Sequence, residues 1–78
     1  MSQFMRYLKD EDFKLNINNN TIYLDNYNKL EKLSENNIIV VAKKQLIDIE
    51  GKDFVIKKLL EKEILFTGEI KNIKFIKQ

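Results

Sequence analysis

Between residues 46 and 76 apolar and polar side chains alternate, and the two glycines of the chain, Gly51 and Gly68, interrupt the pattern. Strand side chains point to opposite faces in turn, so this alternation predicts β-structure. In Leu46-Ile47-Asp48-Ile49-Glu50, Ile47 and Ile49 face one way and Asp48 and Glu50 the other. Gly51 breaks the run, and Lys52-Asp53 reads as a turn-like pair. Phe54 and Ile56 share a face in the strand that resumes, and residues 59–63 read as a connection. Ile64, Phe66 and Ile70 line one side of the next strand, with Gly68 in register, where a missing side chain allows close packing or a bulge. Lys71-Asn72 is a turn or kink, and Ile73 and Phe75 point inward in the last strand. Gly51 and Gly68 are therefore read as structural turn glycines. Ile49-x-Gly51-x-x-Phe54-x-Ile56 and Phe66-x-Gly68-x-Ile70-x-x-Ile73 look alike, but their internal spacings differ by a residue. A repeat array needs a sustained fixed period.

Residues 1–12 form a separate N-terminal segment with a candidate short helix: Ser2 is an acceptable N-cap, and Phe4, Tyr7 and Leu8 have helical spacing. Residues 13–78 are the β domain. Phe13, Leu15 and Ile17 alternate with Lys14 and Asn16, the clearest strand signal of the first half. Asn18-Asn19-Asn20 is a turn, because asparagine tolerates the left-handed backbone region, and residues 21–24 return as the second arm of a hairpin. A bend at 25–29 leads to a short strand plus loop over 29–35. Ile38, Ile39, Val40, Val41 and Ala42 are apolar on both faces, as suits a central strand covered on both sides. A strand at a subunit contact would look the same, which makes these five residues the candidate interaction strand. Connections are short and crossover helices are absent, so the strands should be antiparallel. The expected fold is all-β: a meander of about six to seven short strands forming a small sandwich or rolled, barrel-like sheet.

At 78 residues the chain is one domain with a small core. It holds no cysteine and no histidine, which removes disulfides, thiolate metal sites and the commonest acid–base group. No cofactor, metal or small-molecule substrate is expected, and oligomerisation is the remaining stabiliser. Ser2, Ser34, Thr21 and Thr67 have no His or Cys to activate them as nucleophiles. Asp48, Glu50, Glu61, Glu63 and Glu69 sit at outward strand positions or in turns, the pattern of a solvated face. Asp10, Glu11 and Asp12 lack the glycine and spacing of a calcium loop, and two glycines 17 apart make no phosphate cradle. The chain is read as non-enzymatic. The longest purely apolar run is residues 38–42, far short of a bilayer span, and no secretory signal is seen, so a cytoplasmic address is expected.

Net charge is +2 and lysine supplies nearly all the positive charge, Arg6 being the one arginine. Small basic β-folds bind single-stranded nucleic acid through aromatic platforms and lysines. Here Phe54, Phe66 and Phe75 fall at inward positions, Tyr23 and Tyr27 are the exposed candidates, and acids interleave with Lys57, Lys58, Lys71, Lys74 and Lys77. A nucleic-acid-binding protein is therefore the alternative rather than the leading reading.

Leu24-Asp25-Asn26-Tyr27, Ser34 four ahead of Ile38, Ile49-x-Gly51-x-x-Phe54-x-Ile56 and the ending Glu63-Ile64-x-Phe66-x-Gly68-x-Ile70-x-x-Ile73-x-Phe75 together resemble the YabP/YqfC family of sporulation proteins, more closely its YqfC branch. The resemblance runs from about Phe13 to the end, and the double-glycine ending is its more specific part. The family usually has glycine where Lys29 stands and another near Gln45, so Asn28 or Lys44 is expected to take the unusual backbone angles there. The resemblance implies a role in endospore formation, in the mother cell, in cortex or envelope development. It also implies a membrane protein of the same pathway as a candidate partner and a peripheral position at the forespore membrane. It carries no catalytic residue. The function expected is protein–protein contact, by docking on that partner or by self-association as a homo-oligomer.

Overall fold

A computed structural model describes residues 12–78, so the candidate helix at 1–8 lies outside the described residues. Six strands follow in order: β1 (Lys14–Asn18), β2 (Thr21–Asp25), β3 (Lys29–Leu33), β4 (Asn37–Ala42), β5 (Gln45–Leu60) and β6 (Glu63–Lys77). They form one antiparallel sheet in the order β1-β2-β6-β5-β4-β3.

The all-β antiparallel class is as expected, but the path differs from a plain meander of short strands. β3 to β6 follow one another across the sheet, whereas β2 returns to the far side of β6. The last two strands are 16 and 15 residues long. They are long because the expected breaks at Gly51-Lys52-Asp53 and Lys71-Asn72 are absorbed as irregularities inside continuous strands. Register shifts fall between Glu50 and Gly51, between Lys52 and Val55, and between Ile56 and Lys58. Asp53 takes a positive φ of 60° within this stretch, which places an extra residue without ending the ladder. Leu59 and Leu60, expected in the connection, belong to β5.

The link between β2 and β3 shows that the sheet folds over on itself. Asp25 pairs with Glu63 at one end of the β5–β6 ribbon, and Lys29 pairs with Val41 beside Leu46 at the other. From Leu46 to Leu60 a flat strand would run about 46 Å at the usual rise per residue. Residues 26–28 span at most about 14 Å. The two ends of the ribbon are therefore brought together: the Asn26 amide donates to the Lys62 carbonyl (2.8 Å) and the Asn28 amide to the Val41 carbonyl (2.7 Å).

The apolar sides of the two halves meet inside the bend. Ile22 and Leu24 of β2, Ile38, Val40 and Ala42 of β4, Ile47, Ile49 and Phe54 of β5, Ile64 and Phe66 of β6, and Tyr27 from the link form one buried cluster. Tyr27 is 1% exposed, which removes it as a binding platform. The link is short, so its ring is carried into the core between the halves, and its hydroxyl reaches the Leu60 carbonyl at 3.4 Å. Of the unusual backbone angles, Lys43 and Lys44 take positive φ together in the two-residue β4–β5 turn, as a type I′-like hairpin requires. Lys44 is as expected. At the other departure the residue is Asn26 (φ 71°) rather than Asn28.

The bend is closed by the neighbouring turns. The Gly51 amide donates to the Asn36 carbonyl and the Gly68 amide to the Asn20 carbonyl, both at 3.0 Å, and Phe54 N–H donates to the Glu35 carbonyl. Each glycine amide is thus satisfied by an asparagine-bearing turn from another part of the chain.

Candidate interaction surface

β4 lies between β3 and β5, so its backbone is engaged on both sides and offers no edge. Ile38, Val40 and Ala42 are core residues, and Ile39 and Val41 are half-buried on the outer face. The expectation of cover on both faces is corrected here: among the described residues no layer packs on the outer face, where Ile39 and Val41 are half-buried rather than buried. Directly opposed residues of an antiparallel pair share a face, so Val41, Leu46 and Ile76 form one outward apolar row beside Ile39.

β6 carries the less protected margin. β2 pairs with it only as far as Thr67, and the Gly68 amide makes the last bond on that side. Over residues 69–77 the far side of β6 has no neighbouring strand among the described residues. Ile73 and Phe75 lie opposite Ile49 and Ile47, on the core face. Phe75 is nevertheless 55% exposed, against the inward, buried position its spacing predicts. Its side of the sheet is right, but among the described residues no strand beyond β6 covers the ring. Ile76, on the outer face, is 46% exposed, so this margin is apolar on both sides.

Of the carboxylates named from the sequence, Asp48, Glu50, Glu63 and Glu69 are each engaged by a local partner across the sheet. Asp48 accepts from the Asn37 side-chain amide (2.7 Å), Glu50 lies 3.6 Å from Lys74, and Glu69 lies 3.6 Å from Lys52. Glu63 sits between the Lys58 ammonium (2.9 Å) and the Tyr23 hydroxyl. The Lys58 bond, then the Tyr23 bond, hold the Glu63 carboxyl below the usual range despite some desolvation. Desolvation, then Glu63, push the Tyr23 hydroxyl up. Such exposed ion pairs arrange a surface and contribute little to stability. No helix of the described residues is long and apolar enough to cross a membrane.

The model of the YabP family matches residues 9–78. The chain belongs to this family. It is also 38% identical, over 55 residues, to the uncharacterized protein YqfC of Bacillus subtilis (strain 168). That match covers 70% of this chain and 59% of the relative, so it spans little more than half of the relative's length. No solved structure matches significantly.

Sequence reasoning missed the β6 margin. A signal was present in the lysines at 71, 74 and 77, since edge strands are commonly guarded by lysine. The sequence pattern alone places them in a basic patch interleaved with acids.

Proposed function

We propose that this chain is a non-enzymatic sporulation protein that acts by protein–protein contact. It works in the mother cell during development of the spore cortex or envelope, at the forespore membrane, by docking on a membrane protein of the same pathway or by self-association. Membership of the YabP family across residues 9–78 carries this reading. The unneighboured margin of β6, with Phe75 and Ile76 exposed on its two faces, supports contact as the mode of action. Strand edges and their flanking pockets are a common way for small β-domains to take an extended partner.

A strain lacking this chain and any paralogue should give fewer heat-resistant spores. A normal count would sink the sporulation role. A functional fluorescent fusion should gather around the forespore, on the mother-cell side. Signal over the nucleoid would favour the nucleic-acid alternative.

A further inference from the structure

We propose that a second copy of this chain pairs with the β6 margin, antiparallel, about a twofold axis at Phe75. This deepens the contact reading above by naming one partner and one register.

The hydrogen-bond phase of β6 decides which backbone groups are free. The Gln78 amide donates to the Lys44 carbonyl (3.0 Å), so residue 78 turns its polar groups toward β5. Backbone polar groups alternate sides along a strand, so residues 76, 74 and 72 also face β5. Those of Ile73, Phe75 and Lys77 face the open side, where no described residue meets them.

Charge selects the register. Ile73, Phe75 and Lys77 share the core face, while Asn72, Lys74 and Ile76 share the outer face. With the axis at Phe75, Phe75 meets its own copy, Lys74 meets Ile76 and Ile73 meets Lys77. No two lysines are opposed, and the open groups of residues 73, 75 and 77 form about six inter-chain bonds. With the axis at Lys74, that lysine meets itself and Lys71 meets Lys77 at two symmetric positions, three like-charge oppositions. With the axis at Ile73, the ladder runs into Lys71, which has no partner in the β5–β6 register. With the axis at Ile76, only Phe75, Ile76 and Lys77 of β6 fall opposite β6 residues.

Beyond Phe54 the side of β5 away from β6 also has no neighbouring strand among the described residues, but register shifts interrupt it, at Lys52–Val55 and Ile56–Lys58. Bulges of this kind defend an edge. From Asn72 to Lys77 the β6 register is regular.

The chain has no cysteine, so introduced thiols report the register cleanly. In the proposed pair, residues 74 and 76 form a close, non-hydrogen-bonded position suited to a disulfide. Full-length chains carrying Lys74→Cys and Ile76→Cys are mixed, oxidised gently and weighed by mass spectrometry. The mixed disulfide should exceed either homodimer several-fold. A statistical 1:2:1 mixture of the three species, or a predominant Lys74→Cys homodimer, would overturn the register. The unmodified chain should sediment as a dimer, and Phe75→Lys should lose the dimer while keeping its far-UV β signal. A monomeric unmodified chain at high micromolar concentration would end the proposal and leave the spore-count test of the function standing. Ile76→Lys, on the outer face, is a second variant in case Phe75→Lys misfolds, and it too should sediment as a folded monomer. A folded Ile76→Lys dimer would count against the pairing.

Discussion

The ring of Phe54 rests on Gly68: a β-carbon at Gly68 would lie 2.5 Å from Phe54 Cδ1. A β-carbon at Gly51 would also strike this ring, 2.7 Å from Cζ, and would overlap the Glu69 carbonyl oxygen. The two glycines, 17 residues apart in sequence, thus clear space for one aromatic side chain. Phe54 in turn meets Phe66 edge-on, with centroids 4.9 Å apart and an interplanar angle of 65°. Gly51→Ala and Gly68→Ala should each destabilise by about 1–3 kcal/mol, through overpacking at both and a left-handed φ of 149° at Gly68. Denaturant midpoints check this; two unchanged midpoints would mean the ring does not sit there.

Phe54→Ala should cost about 3–5 kcal/mol, the usual range for an aromatic removed from a core. Phe75→Ala, on a ring 55% exposed, should cost the monomer much less. Equal losses in urea unfolding would contradict the placement of these two rings.

Tyr27→Phe keeps the buried ring and removes one hydrogen bond to the Leu60 carbonyl, so it should cost only about 0.5–1.5 kcal/mol. Burial, then the Glu63 charge, raise the Tyr27 hydroxyl above its ordinary value. A raised folded-state value gives stability that is complete below the unfolded value and lost as pH rises through the folded one. Alkaline unfolding should therefore set in above about pH 10, and Tyr27→Phe should reduce the pH dependence there.

Glu63 has the opposite sign. Its folded value is lowered, chiefly by the Lys58 bond and then by Tyr23. Its contribution is present above the ordinary glutamate value, near about pH 4.3, and is lost as pH falls through the lower folded value. Melting temperatures of the unmodified chain and Glu63→Gln should differ at neutral pH and converge under acid. A constant gap down to strongly acidic pH would exclude an ionic origin.

Val40→Lys should prevent folding, since it buries an unpaired charge at a fully covered position. Ile39→Lys, its neighbour on the outer face, should fold. Circular dichroism of both variants checks which face of β4 is inside.

Local order was legible because it depends on neighbours in sequence. The 13–17 alternation marks β1, the asparagines mark its turn, and the period of Ile47, Ile49, Ile64 and Phe66 marks the inner face. Burial at Tyr27 and exposure at Phe75 were not legible, because each depends on which strand lies alongside. Tyr27 sits in a polar Asn-Tyr-Asn stretch that reads as a surface bend, yet the link is drawn tight between the halves. Phe75 alternates like a core residue, yet it lies beyond the reach of β2. The glycines read as turn positions but lie inside continuous strands, and their shared occupant was not legible, since Phe54 follows only one of them closely in sequence.

The position of β6 also shapes how the molecule assembles itself. It is last of the six in chain order and third across the sheet, between β2 and β5. The β1–β2 hairpin, although earliest of the described strands, has no sheet to join until β6 is in place some forty residues later. Joining them closes a long loop before its contacts repay the lost chain entropy, which slows folding. Partial chains ending before Glu63 should therefore hold the β3–β4–β5 meander at most, with Ile22 and Leu24 left in water, and the finished sheet should form in a single late step.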